Sequence, residues 1–508
     1  PPPVLHLPPP PTDLGVRLVG SEMRIRVRGA TRAGVTGEAP SDVLWHYNLS
    51  ARHLDKLCER VDTFSVSGDG ERLVVRHRDD TIVVPSSHKV DDDDPAYIRV
   101  DLTRLRRTVN PRAEWRQMFD ENGRLMASHY WREDMNGVDW DSVLNRYRPL
   151  VDLCHVVDDL HDILWETVAE LNTSHSYVSA SGAAGDSDMR AGLLGADVSS
   201  GNDGAKVVRV IPGESSDPRA WSPLRAAGVA VTEGDVIVAV DGRKVGADGN
   251  LGELLEGSAG RVVELTVRRG ENERQVAVVP MADEAPLRYH DWVASRRRYV
   301  EEHSGGRLGY LHVPDMVSDG WAELHRQIGE ATRHEGVIAD VRFNHGGHTS
   351  QLVVERLARR VVGWDYSRWY ATADTYPQNA VRGPIVMVTN QWAGSDGDIV
   401  AAATQAMGYA KVIGERSWGG VVGIDGRFDL VDGTSVTQPR YAGWYGSYGW
   451  GVENHGVDPD IVVTVSPEDW EADCDVQLDA AIAECLRQLD DKPAATAPEL
   501  PGPAFGRC

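Results

Sequence analysis

Residues 385–403 confine the possible fold more tightly than any other stretch. Ile385-Val-Met-Val388 is a continuous apolar run, the mark of a strand buried on both faces. The corner Gly394-Ser395-Asp396-Gly397 and an alanine-rich run follow, which predicts a helix over 398–407. A buried strand needs neighbours on both sides, and the surrounding sequence supplies them. Residues 308–313, 336–342 and 410–414 read as further strands, with helices over 321–333 and 350–361 between them. Residues 461–465 add a strand and 476–489 a closing helix. From 286 to 489 this alternation predicts an α/β domain with parallel strands.

The same corner carries chemistry. A serine on a sharp strand-to-helix turn is held clear of its neighbours, with the next amide and the helix N-terminus facing whatever it attacks. The plainer reading is a serine N-cap, which such turns also favour. Two other stretches bear on the choice. Asp340-Val-Arg342-Phe-Asn344-His-Gly346-Gly347 ends a strand with a double glycine, whose amides can face a developing negative charge. With the amide of Asp396 this makes an oxyanion hole. Gly449-Trp-Gly-Val-Glu453-Asn-His455 supplies an acid and a histidine, and Ser174-His175 supplies another histidine flanked by hydroxyls. Two wirings therefore compete: Ser395 with His455, in the chain order of α/β-hydrolases, or Ser395 with His175, oriented through Glu453.

The remaining sequence organises around this domain. Residues 1–12 are proline-rich, and the pattern up to residue 95 is β, as in the last strands of something larger. Asp91 to Asp94, closed by Pro95, reads as a solvated break. Helical periodicity dominates 96–188. His155 and His161 lie six apart, on different faces of a helix, so no metal site is expected. Residues 189–285 are β-rich, and 490–508 read as a disordered tail. The net charge of −24 argues against a nucleic-acid or anionic-membrane partner. No window approaches the ~18 apolar residues of a membrane span. Cys58, Cys154, Cys474, Cys485 and Cys508 are scattered, so a reducing, cytoplasmic setting is expected. The chain begins with Pro1, so the lack of a targeting signal there excludes nothing.

Gly192-Leu-Leu-Gly195, Ala226-Ala-Gly228 and Gly234-Asp-Val-Ile-Val-Ala-Val-Asp241-Gly242 resemble a PDZ domain. Such a module takes an extended peptide, or the C-terminus of another protein, as an added strand, or serves only as a rigid spacer. The Asp340–Gly347 stretch, the Ala-Gly-Ser395-Asp396 corner, Gly414-Glu-Arg-Ser-Trp-Gly-Gly420 and Glu453-Asn-His-Gly-Val-Asp-Pro-Asp460 together resemble the tricorn protease family. That group is related to the carboxyl-terminal processing peptidases. The resemblance implies a multidomain α+β and α/β protein: a small N-terminal β region (a possible propeller remnant), a helical domain, a PDZ-like β domain and an α/β catalytic domain of crotonase or ClpP type.

It further implies Ser395 as nucleophile, His175 as general base, Ser174 and Glu453 as its orienting groups, and Gly347 (or Gly346) with Asp396 as oxyanion donors. The processing peptidases instead place a lysine after the serine, where this sequence reads Gly419-Gly420-Val421. Family members prefer a basic residue before the scissile bond, read by an acid from a neighbouring subunit. Asp365 stands at that spacing, or is simply an exposed loop aspartate. No metal or organic cofactor is implied, the substrates are short unfolded peptides, and assembly is a homo-oligomer, a hexamer. The rivals are an esterase using His455 and a non-catalytic peptide-binding scaffold.

Overall fold

The computed structural model describes residues 16–19, 22–27, 42–78, 80–106, 108–181, 189–201, 203–246, 249–369 and 372–500. The chain divides into two compact units, residues 1–109 and 110–508.

The first unit contains two four-stranded antiparallel sheets in sequential order. One runs Val16–Val19, Glu22–Val27, Val43–Asn48, His53–Glu59, and the other Thr63–Val66, Arg72–His77, Asp80–Pro85, Ile98–Val100. Alternate residues of Arg72–His77 point inward, joining Leu44, Leu57, Val61 and Val84 in one small core. The acidic break at 91–95 is no boundary. Past it, Ile98–Val100 pairs with Thr81 to Val83 and completes the second sheet. The division falls at 109/110, ahead of the Asn110 cap and Pro111 that open the first long helix. The proline-rich residues 1–12 lie outside the described residues.

The second unit begins with helices Pro111–His129, Trp140–Val151 and Val157–Ala169, packed through Met118, Phe119, Leu160 and Leu164. Val178, Leu430 and Val436 belong to the same core, and Val178–Ser179 pairs antiparallel with Ser435–Val436. The helical region is therefore sewn to a loop of the α/β layer, which fixes where residues 174–177 lie. The PDZ-like module is a six-stranded sheet around Val207, Leu224, Ile237, Leu265 and Val267.

Helix Ala285–His303 leads from that module into a five-stranded sheet in the order Leu308–His312, Gly336–Asp340, Ile385–Thr389, Ala410–Gly414, Ile461–Val462. All four pairings are parallel, as the alternating pattern predicts. Every residue of the first three strands is buried. Helices Ser318–Ala331, Ser350–Leu357 and Asp396–Met407 cover one face, and Ala285–His303 with Val476–Asp491 cover the other. The helix expected over 350–361 stops at Leu357, because Arg360 turns to bridge Val381. The expected tail is ordered up to residue 500. Ala495 exchanges hydrogen bonds with Arg382 (2.8 and 3.2 Å), and the Tyr366 hydroxyl donates to Pro498. Residues 501–508 lie outside the described residues.

Candidate active site

Ser395 sits where strand Ile385–Thr389 has ended and helix Asp396–Met407 begins. Its backbone is at φ 57°, ψ −118°, a region that non-glycine residues adopt only when the surroundings impose it. Those surroundings are hydrogen-bonded throughout: Gly394 donates to the Asn344 carbonyl (3.0 Å), Gly397 to Gly394 (2.8 Å) and Ile399 to Ser395 (3.1 Å). Ser395 occupies the N-cap position, yet its hydroxyl caps nothing. The plainer reading of this serine thus loses its main support.

Asp396 is buried, and its carboxylate accepts from the Ser350 amide (3.1 Å). Its own amide is at the first helical position, where no intrahelical acceptor exists. Beneath the serine, the Gly346 amide donates to Asn344 Oδ1 (2.8 Å) and is therefore occupied. Gly346 matters instead for the space it leaves, since a Cβ there would come within 2.5 Å of the Ser395 Cβ. Gly347 bridges Met316 through its neighbours' groups, Gly346 C=O and His348 N–H, so its own amide takes no part in that bridge. Gly346→Ala is expected to displace Ser395 and thereby to lower kcat by about 10²–10³-fold. Steady-state kinetics on a short fluorogenic peptide would measure this, and an unchanged kcat would contradict it.

His175 ends the helical region in a positive-φ conformation (60°). Its Nδ1 is 3.1 Å from Ser174 Oγ, which donates to Glu453 Oε2 (2.9 Å). Glu453 also accepts from the amides of Ser174 (2.7 Å), Val421 (2.8 Å) and Val422 (3.0 Å). The ring stands edge-on to Tyr177 and Trp418, with centroids 5.7 and 5.5 Å away. Burial pushes the His175 pKa below 6.5, against the charge of Glu453 and a backbone contact with Val422. A neutral imidazole at pH 7 follows, the form that can accept a proton.

His175 and Ser395 line one cavity of about 210 Å³, together with Tyr177, Asn344, His345, Trp392, Gly394 and Trp418. His455 is not among its lining residues. It is half exposed and pairs with Asp458 at 2.8 Å. A lysine in the 419–420 position has no room, since a side chain at Gly420 would run into the Trp418 ring. Asp365 is exposed at the end of the hairpin Gly363–Asp365/Asp374–Tyr376 and is not among the cavity's lining residues.

Family models match the chain in three places: peptidase family S41 over residues 307–463, the tricorn protease PDZ domain over 192–283 and the tricorn protease C1 domain over 111–169. Tricorn protease homolog 1 of Streptomyces coelicolor is 55% identical over 480 residues, which is 94% of this chain and 45% of that protein. The tricorn protease of Thermoplasma acidophilum is 34% identical over 466 residues, 92% of this chain and 43% of that one. A crystal structure of the tricorn protease superposes with a TM-score of 0.86 at 33% identity, covering 94% of this chain and 46% of that one. This chain belongs to the tricorn protease family. It spans less than half the length of these two relatives.

Within the tricorn framework the PDZ-like module departs from the carboxylate-binding expectation. The Gly192 amide donates to Leu255, that of Leu193 to Met281, and that of Gly195 to the Glu284 carboxylate (2.7 Å). Helix Ala285–His303 starts against this loop, with the Leu287 side chain packed under Gly195. Three amides of this loop are therefore engaged within the protein itself.

Trp418, Tyr177, Trp392 and Asn344 also line the cavity, a role that the sequence alone does not show. Trp418 lies in the quoted 414–420 motif, but nothing in a linear pattern shows that it abuts an imidazole some 240 residues upstream.

Proposed function

We propose that this chain hydrolyses short unfolded peptides by a Ser-His acyl-enzyme route. The observation that carries the reading is the single cavity lined by Ser395 and His175, with His175 tied through Ser174 to Glu453. His175 takes the Ser395 proton as Oγ attacks the peptide carbonyl. The amides of Gly347 and Asp396 hold the oxyanion, and the imidazole then protonates the leaving amine. Water reverses the sequence to release the acid. Glu453 orients Ser174 and stabilises the imidazolium without itself taking a proton.

The pH dependence follows from the buried imidazole. Activity requires neutral His175, so kcat/KM is expected to fall on the acid side with a limb below pH 6.5. Glu453→Gln removes a charge that raises the imidazole pKa. The limb should then move to lower pH while kcat drops, and a limb moving upward would contradict this role. The finer readings rest on family membership alone: a homo-oligomer, specifically a hexamer, a cytoplasmic location, and Asp365 as the reader of a basic residue before the scissile bond. Light scattering tests the assembly. Asp365→Asn, with peptides carrying arginine or leucine at that position, tests the preference.

No described helix is long and apolar enough to cross a membrane. The scaffold alternative predicts peptide binding without turnover. Hydrolysis by the unmodified protein, lost in Ser395→Ala, would dismiss it.

A further inference from the structure

Three residues beyond the nucleophile lies a carboxylate that this chemistry leaves unused. Asp398 has no solvent exposure. Its Oδ1 accepts from the Ser417 hydroxyl and from the Gly419 amide (2.8 Å), while Oδ2 makes no hydrogen bond. Enclosing a carboxylate in this way is unfavourable unless a cation or several donors compensate. The groups that oppose its protonation most are Ser417 and the amides of Gly419, Ser395 and Gly420, with no cation among them.

The contacts of the turn at 417–422 show what the arrangement achieves. At one end the turn is fastened to the nucleophile's segment, through Asp398 and through the Trp418 amide on the Ala393 carbonyl (3.0 Å). Ser417 Oγ in turn accepts from the Val457 amide (2.9 Å), and the Gly419 carbonyl accepts from Asn454 (2.7 Å). At the other end Val421 and Val422 donate to Glu453, which holds Ser174 against His175. Between the two ends, the Trp418 ring stands on the imidazole. The turn is the strut between the half of the site that carries the serine and the half that carries the base.

We propose that Asp398 is a positioning residue whose ionised carboxylate pins the Ser417–Gly420 turn to the nucleophile helix and so sets the Ser395–His175 geometry. The inference rests on the serine-peptidase reading. Burial pushes the Asp398 pKa up to about 6, so the pin loosens by protonation close to neutral pH. Asp396, Tyr445, His175 and Glu453 are titratable groups that also face this region. Burial raises the Tyr445 hydroxyl pKa, and the two aspartates add to the rise.

The test measures kcat and KM of the 508-residue protein on a short fluorogenic peptide across the pH range, with Asp398→Asn and Ser417→Ala. Asp398→Asn keeps the shape but mimics the protonated pin. It is expected to lower kcat by about 10–100-fold, as a small misplacement of reacting groups does, with KM within about threefold. The acid side of its profile should carry only the His175 limb, whereas the unmodified protein falls more steeply because two groups protonate. Ser417→Ala removes one donor from the carboxylate, so the second limb should move to higher pH. It keeps the carboxylate and decides the matter even where the asparagine variant fails to fold. Profiles of both variants superposing on that of the unmodified protein would overturn the inference. An unmodified protein that neither cleaves peptide nor reacts with a fluorophosphonate would instead overturn the serine-peptidase reading beneath it.

Discussion

Alanine at Ser395 or at His175 is expected to lower kcat for peptide hydrolysis by about 10⁴-fold or more. The two losses should not add, because in the proposed mechanism the hydroxyl and the imidazole act as one unit. His455→Ala is expected to leave kcat within about twofold, since that half-exposed ring pairs with Asp458 and does not line the cavity. Kinetics of the three variants on one peptide separate the wirings that compete in the sequence. If His455→Ala abolishes activity and His175→Ala does not, the esterase arrangement is correct.

Arg342→Ala is expected to destabilise the second unit by about 3–5 kcal/mol, the cost of leaving buried Asp340 without its cation, while Asp475 keeps Arg296 at 3.1 Å. The guanidinium is buried and forks onto two carboxylates, reaching Asp340 Oδ2 at 2.8 Å and Asp475 Oδ1 at 2.7 Å. Tyr310 OH adds a hydrogen bond to Asp340 (2.9 Å). These contacts tie the end of strand Gly336–Asp340 to the closing helix Val476–Asp491, and thereby hold the 342–347 turn beneath Ser395. Burial alone would raise the Asp475 pKa, but hydrogen bonds and charge from Arg342 outweigh it and hold the group below 3.8. A depressed carboxylate pKa contributes stability above the unfolded value that is lost as pH falls through the folded one. Urea denaturation at neutral and acid pH measures both effects. A loss under about 1 kcal/mol at neutral pH would show that the triad is not holding the turn.

Much of this was legible in the sequence, for identifiable reasons. Parallel strands buried on both faces read as unbroken apolar runs, so the central sheet and its order of helices could be placed directly. The strand-to-helix serine is likewise a local pattern. What escaped depends on contacts between distant segments. Asp340 and Arg342 stand in a motif beside the Gly346–Gly347 turn and invite a chemical reading, but Asp475, 133 residues beyond Arg342, makes them structural. The acidic run at 91–95 has the composition of a linker, yet a strand after it closes the sheet. The proline- and alanine-rich segment near the C-terminus has the composition of a tail, yet Arg382 holds it in place. The glycine-rich loop of the PDZ-like module resembles a carboxylate binder, and only the structure places Glu284 on one of its amides.

In the proposed mechanism Ser395 is a nucleophile activated by His175. Reaction of the unmodified protein with a fluorophosphonate, followed by peptide mapping, tests it most directly. The adduct is predicted on Ser395, forming at an unchanged rate in His455→Ala and at least about a hundredfold more slowly in His175→Ala. An adduct on a different serine, or labelling of Ser395 that is indifferent to His175, would contradict this mechanism.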